Sequence, residues 1–109
     1  MKKDFLKRLR AANIERDNLW DPNRKIDTMF RALELAGEVG ELCNDIKKLK
    51  RAELGLKGSR TSLCSVSREI ADVLVTLDLL AMNLEIDLET AVTEKFNHTS
   101  NLHKFSTQL

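Results

Sequence analysis

At 109 residues the chain has the size of one domain, with a modest core for its surface. It carries 18 basic and 17 acidic side chains, a net charge of +1, so no overall field draws it to nucleic acid or a membrane surface, and neither partner is expected. Leu, Ala, Glu, Lys and Arg dominate, Gly and Pro are few and Tyr is absent, a composition that favours helix and disfavours a β-rich fold.

The charged lead Met1-Lys2-Lys3-Asp4 opens on an amphipathic run. The first helix is expected from about Asp4 to Leu19, with Phe5, Leu6, Leu9 and Ile14 as its apolar points. Trp20-Asp21-Pro22-Asn23 ends it, because Pro cannot continue a helix and disfavours α geometry just before itself. Trp20, the only Trp, is expected to plug the core at this break, with stacking on a nucleobase as the alternative.

The second helix is expected from about Ile26 to Arg51. Leu35, Val39, Leu42, Ile46 and Leu49 step by four and three to make one seam, and Met29, Leu33, Ala36, Gly40 and Cys43 make a second, largely opposite face. A helix apolar on two sides is expected between neighbours, with Cys43 in that packing. Lys47, Lys48, Lys50 and Arg51 suit its C-terminus.

Gly55, Gly58, Ser59, Thr61 and Ser62 mark a loop over Ala52 to Cys64. Ser62 or Ser65 is expected to cap a third helix running to about Leu84, apolar along Ile70, Val73, Leu74, Leu77, Leu80 and Ala81, with a second strip of Val75, Leu79 and Met82. Asp87 is the expected N-cap of a fourth helix reaching about Ser100. The architecture expected is an all-α four-helix bundle, a single domain over 1–109. No apolar stretch is long enough for a signal peptide or a membrane span, so the cytosol is the expected compartment. Cys43 and Cys64 lack CxxC spacing and are read as reduced thiols, not zinc ligands.

The chemistry lies in two acidic pairs, Glu38/Glu41 on the second helix and Glu69/Asp72 on the third. A spacing of three puts both acids of a pair on one helix face. Each pair flanks the apolar seam of its own helix, so packing of the two seams would converge four carboxylates at the edge of the core. Such crowding is costly unless neutralised, and hard oxygen donors suit Mg²⁺, with water and the phosphates of a nucleoside triphosphate completing the shell. Either pair alone is better read as a solvated face. Their shared context shifts the balance, as do Gly37 and Gly40, whose cost of roughly 1 kcal/mol each in a helix interior suggests close approach of a backbone or ligand. Glu34 and Asp45 extend the acidic stripe and are read as solvated charge, with an outer role around the metal as the alternative.

Glu38-x-x-Glu41, 27 intervening residues and Glu69-x-x-Asp72 resemble the signature of the MazG-like all-α nucleotide pyrophosphohydrolases, centred on Glu34-Leu-Ala-Gly-Glu-Val-Gly-Glu-Leu42 and Glu69-Ile-Ala-Asp-Val-Leu74. Ile86-Asp87-Leu88-Glu89 and Lys95-Phe96-Asn97 resemble the two ends of the family's last helix. An acidic doublet is common in the first motif, and here Gly37 stands at its first position. The resemblance implies Mg²⁺ held by Glu38, Glu41, Glu69 and Asp72, and hydrolysis of a nucleoside triphosphate to monophosphate and pyrophosphate in nucleotide-pool clearance. It also implies four-helix cores that assemble as homodimers or homotetramers, with the base pocket near a subunit contact. Glu38 or Glu41 is the expected general base.

Further candidates for substrate contact are Lys95 on a phosphate, Asn97 on a base edge and Lys48, seven residues past Glu41 on the same stripe, on the phosphate tail. Each has a plainer reading: solvation for Lys95, backbone bonding for Asn97, and interaction with the helix C-terminus for Lys48. Arg60, with its Ser and Thr neighbours, is read as linker, and His98 and His103 as surface residues. The rival from another class is a non-catalytic helical dimerisation module, which the paired apolar faces fit equally well. Phosphoribosyl-ATP hydrolysis and dUTP hydrolysis are rivals within the enzyme class.

Overall fold

A computed structural model describes residues 4–109; the charged lead Met1-Lys2-Lys3 lies outside the described residues. These form α1 (Phe5–Trp20), α2 (Thr28–Glu53), α3 (Leu63–Asn83) and α4 (Leu88–Leu102), with no strand among them. None of the four helices is long and apolar enough to cross a membrane.

Each boundary has a local cause. α1 stops as Pro22 approaches, and the Asp21 carboxylate then accepts the backbone N–H groups of Ile26 at 2.8 Å and Lys25 at 2.9 Å. Those two bonds fold the connection back toward α2 and hold the Asp21 carboxyl below its ordinary range. Asp27 caps α2 by accepting from the Phe30 N–H at 2.8 Å. Ser62, not Ser65, caps α3, accepting from the Ser65 N–H at 3.2 Å, and Asp87 caps α4 through the Glu89 N–H at 3.2 Å.

α2 and α3 form an antiparallel hairpin joined by residues 54–62. Hydrogen bonds near its two ends fix the register: Ser65 Oγ donates to Asp45 at 2.8 Å, and Arg31 Nε donates to Asn83 at 3.4 Å. α1 packs on α3, and α4 packs against α1. Asp78, 1% exposed, is the anchor of the α1–α3 contact. It accepts from Arg10 Nε at 3.1 Å and from Asn13 Nδ2 at 2.9 Å, while Arg10 Nη2 reaches the Ile86 carbonyl at 2.7 Å and ties down the α3–α4 turn.

Burial departs from the sequence pattern. Val66 and Ala81 are the fully buried apolar side chains among the described residues, whereas Asn13, Arg31, Asp45, Thr76, Asp78 and Ser100 are buried polar ones. The expectation that α2 lies covered on both apolar sides is not met within one chain: Met29 is 72% and Leu33 68% exposed, and Val39 and Ile46 remain open. Cys43, expected in helix packing, is exposed on the same helix. Gly37 and Gly40 were expected to mark a close approach, yet a Cβ on either would meet nothing within 4 Å. The cause is geometric, because α3 lies along one side of α2 and leaves the rest uncovered.

Asp78→Ala would strip a buried Asn and a half-buried Arg of their common acceptor. The expected loss is about 3 kcal/mol of unfolding free energy, read by urea denaturation. A loss within ~0.5 kcal/mol, the range of an ordinary surface substitution, would contradict the anchoring role.

Candidate functional site

On α2 a polar stripe runs Arg31, Glu34, Glu38, Glu41, Asp45, Lys48, in steps of three and four. On α3 a matching stripe runs Ser65, Glu69, Asp72, Thr76. The antiparallel register that sets Asp45 against Ser65 brings Glu41 opposite Glu69 and Glu38 opposite Asp72. One carboxylate oxygen from each of Glu38, Glu41 and Glu69 lies within 4.8 Å of the others. Asp72 stands outside this tight group and is exposed, although its charge still acts on Glu38 and Glu69.

Glu38 and Glu69 are half-buried, and the Oε2 atom of each is shut from solvent without a hydrogen-bond partner. Desolvation pushes the carboxyls of both above the ordinary glutamate range, and the Glu41 and Asp72 carboxylates push them further. Buried acceptors with no donor are rare, and each calls for a cause. A cation fits: the donors are hard carboxylate oxygens from two rigid helices, close enough to share an ion, and repulsion among them is relieved by positive charge. Orphaned lone pairs beside like charges are the observation on which this fit rests.

Beside the carboxylates lies a cleft of about 400 Å³, lined by α1, the α1–α2 connection, α2 and α3. Glu38 and Asp72 form part of its wall, with Trp20, Ile26, Phe30, Val75 and Leu79 as apolar lining. Arg31, 3% exposed, crosses this end of the hairpin, where its Nη2 donates to Asp17, its Nη1 to Glu34 at 3.4 Å and its Nε to Asn83.

Trp20, expected to plug the core at the break, does not: it is 82% exposed and lines the cleft. Asp45, read as solvated charge, is buried; the Thr61 hydroxyl beside it and the Ser65 hydroxyl hold its carboxyl below the ordinary range. Lys48 sits near it, its Nζ 3.9 Å from Asp45 Oδ1. Lys95 and Asn97 are not brought to the carboxylates within one chain. Lys95 lines a separate groove with Val92, Phe96 and Phe105, and the Asn97 amide is bonded to the Leu109 backbone, with Leu109 N–H donating to Oδ1 at 2.7 Å. Cys64, His98 and His103 are exposed, as expected.

Sequence reasoning missed Arg31 and Phe30. Arg31 had a readable signal: it lies seven residues, two helical turns, before Glu38 on the acids' own stripe. Phe30 follows no seam, and only the fold of the α1–α2 connection sets it against the cleft.

The raised carboxyls have a pH consequence. A folded-state pKa above the unfolded value means the folded state binds more protons in that window, so stability falls as pH rises through it. The metal-free protein should therefore gain melting temperature as pH falls through the range just above the ordinary glutamate value of 4.5. Below that window, protonation of Asp21 and Asp45, whose carboxyls are held low, reverses the trend. Glu69→Gln or Glu41→Gln, which removes one crowded charge, should leave the metal-free melting temperature unchanged or higher and flatten the dependence. Mg²⁺ should raise the wild-type melting temperature more than that of either variant. Equal responses to Mg²⁺ in all three proteins would overturn the cation assignment.

No curated protein and no solved structure matches the chain. A family model does match, over residues 27–104, described as the MazG nucleotide pyrophosphohydrolase domain. The match spans both acidic pairs, most of the cleft's α2 and α3 walls and all of α4. With an all-helical fold and most of the chain matched, this protein belongs to the MazG nucleotide pyrophosphohydrolase family.

Proposed function

We propose that the chain hydrolyses a nucleoside or deoxynucleoside triphosphate between the α- and β-phosphates, using Mg²⁺, and serves nucleotide-pool clearance in the cytosol. The observation that carries this reading is the pair of buried, unpartnered oxygens on Glu38 and Glu69, in one cluster with Glu41 and beside an aromatic-lined cleft. In this reading Glu38, Glu41, Glu69 and Asp72 hold the metal, and Trp20 and Phe30 flank the base. α1 lies before the matched span yet lines the same cleft, so the reading takes the whole chain as one domain.

Bound Mg²⁺ supplies positive charge to the phosphoryl oxygens and acidifies water. The chain's own part is to orient and deprotonate. Glu38 or Glu41 accepts a proton from water as its oxygen forms a bond to the α-phosphorus. The bond from the α-phosphorus to the oxygen bridging it to the β-phosphorus breaks, and its electron pair leaves on that oxygen with pyrophosphate. Glu38 suits the base role because it belongs to the carboxylate cluster and also lines the cleft that takes the substrate. Trp20, with the apolar wall of Ile26, Val75 and Leu79, orients the nucleoside and excludes water from it.

The assembly we propose is a homodimer or homotetramer with symmetric contacts. Its support is the outer face of α2, where Met29 and Leu33 are exposed and Gly37 and Gly40 have open space at their Cβ positions. A contiguous apolar face of this kind marks an interaction surface. Lys95 and Asn97 do not line the cleft of their own chain, so their contact with substrate requires a second copy. Exposed apolar faces also suit a plain dimerisation module, but such a module has no use for crowded, unpartnered carboxylates at its centre.

A screen of the common NTPs and dNTPs with Mg²⁺ should find at least one that yields pyrophosphate and monophosphate, with no diphosphate intermediate on chromatography. Diphosphate and inorganic phosphate as primary products would reject the cleavage position. Glu41→Gln should reduce turnover by about two orders of magnitude or more, as loss of charge stabilisation raises the barrier directly. Light scattering should return a dimer or larger; a stable 12.4 kDa monomer would reject the assembly.

A further inference from the structure

The carboxylate cluster divides the α2–α3 hairpin into two unlike ends. Toward the α2 N-terminus, Glu38 and Asp72 face the cleft lined by Trp20, Ile26, Phe30, Val75 and Leu79. One turn the other way, past Glu41 and Glu69, the stripe continues through Asp45 to Lys48. A nucleoside triphosphate is asymmetric in the same sense, with a flat apolar base at one end and concentrated negative charge at the other. With the nucleoside in the cleft and the α-phosphorus over the carboxylates, the β- and γ-phosphates must extend toward Lys48.

The basic residues that end α2 are not equivalent. Lys50 is paired with Glu53 at 3.0 Å, and Arg51 Nη1 donates to the Ser59 carbonyl at 2.9 Å, which pins the α2–α3 loop. Lys47 is exposed and off the stripe that faces α3. Lys48 is on the stripe, with its side chain 29% exposed. Its Nζ lies 3.9 Å from Asp45 Oδ1, an ion-pair distance too long for a hydrogen bond, so its donors remain uncommitted to that carboxylate.

Asp45 explains how a long, flexible side chain is kept there. Its carboxylate is buried, and its Oδ2 accepts the Ser65 hydroxyl in the first turn of α3 at 2.8 Å. The negative charge is thus fixed to both helices, and it draws the Lys48 ammonium back along the stripe instead of letting it extend into solvent. Attraction to the α2 C-terminus alone would act on Lys47, Lys50 and Arg51 equally and would not require a buried carboxylate facing α3.

We infer that Lys48 binds the β- and γ-phosphates, the portion that leaves as pyrophosphate, and that Asp45 is a positioning residue that aims it. The inference rests on the pyrophosphohydrolase reading for its substrate. The ammonium neutralises charge that builds on the departing pyrophosphate, and it gives the hairpin a direction: nucleoside to the Trp20 end, leaving group to the Lys48 end.

Calorimetry with Mg²⁺ alone, and then with inorganic pyrophosphate at saturating Mg²⁺, tests this without turnover. Lys48→Met should weaken pyrophosphate binding by about tenfold or more while Mg²⁺ binding stays within about twofold of wild type. Lys48→Arg, which keeps the charge, should restore most of the affinity. Asp45→Asn should weaken pyrophosphate binding by about three- to tenfold with Mg²⁺ binding kept, as an aiming role requires. Wild-type pyrophosphate affinity in Lys48→Met would overturn the inference. So would loss of Mg²⁺ and pyrophosphate binding together in both Lys48 variants, or a wild-type protein that binds Mg²⁺ but not pyrophosphate. Failure of the hydrolase reading looks different: Mg²⁺-dependent pyrophosphate binding that depends on Lys48, with no triphosphate cleaved.

Discussion

Beside the contact between α2 and α3 runs a line of side chains that are better solvated than packed. Arg31, Glu34, Glu38, Glu41 and Asp45 lie along one helix, and Ser65, Glu69, Asp72 and Thr76 along the other. The two ends of this line are satisfied: Arg31 by Asp17, Glu34 and Asn83, and Asp45 by Ser65 and Lys48. The middle is not, since Glu38 and Glu69 each bury an oxygen that has no hydrogen-bond partner. Desolvated like charges push the helices apart and draw protons, and the clamps a turn or two away on either side resist the separation. The geometry of the cluster is therefore imposed by its ends, and every other feature of the molecule is arranged around that imposition.

A hairpin that spends its inner line on polar groups must direct its apolar side chains elsewhere. The radius of gyration is 17.3 Å, against about 13 Å for a compact chain of this length. Leu33, Met29, Leu63 and Leu19 all lie more than two-thirds exposed. Burial of a side chain of this kind contributes about 1.5–3 kcal/mol, so a few of them covered by a second copy could offset the strain at the acidic centre. The proposed assembly thus follows from the same constraint as the site. A polar inner seam leaves too little apolar burial within one chain, and the outer faces of α2 and α4 are where more could come from.

What could be read in advance depended on how local each feature is. The helix ends were legible because Asp87, Ser62 and Pro22 act within a turn or two of themselves. The acid pairs were legible because a spacing of three fixes one face, whatever the partner. Three of them converge as that spacing implies, with Glu38 and Glu69 half-buried and Glu41 exposed, while Asp72 stands just outside the tight group. Periodicity ranks residues by polarity and cannot say which stripe a neighbour will cover. Trp20 and Asp45 were misplaced for that reason. A large apolar side chain at a break was sent to the core, and a carboxylate on an acidic stripe was sent to solvent. Each went the other way: Trp20 lines the open cleft, and Asp45 is covered by Ser65 and Lys48. Phe30 and the groove along α4 had no local signal, as both depend on how separate helices meet.

The clamps also explain why the two ends of the hairpin can differ so much in chemistry while the centre stays rigid. At the Arg31 end, the guanidinium donors are committed to Asp17, Glu34 and Asn83, and the adjoining wall is apolar and aromatic. At the Asp45 end, the carboxylate is satisfied by hydroxyls that carry no charge, and its ion pair with Lys48 is loose. A fully committed arginine at one end and a loosely held lysine at the other produce a gradient along a single pair of helices, from apolar cleft through acidic centre to basic end. Had Asp45 been satisfied by a buried arginine, as Asp17 is, no mobile cation would remain there, since the donors would be consumed within the fold. Satisfying a buried carboxylate with Ser65 and Thr61 hydroxyls is what leaves a lysine available, and it makes the direction of the hairpin a property of which side chains close its two ends.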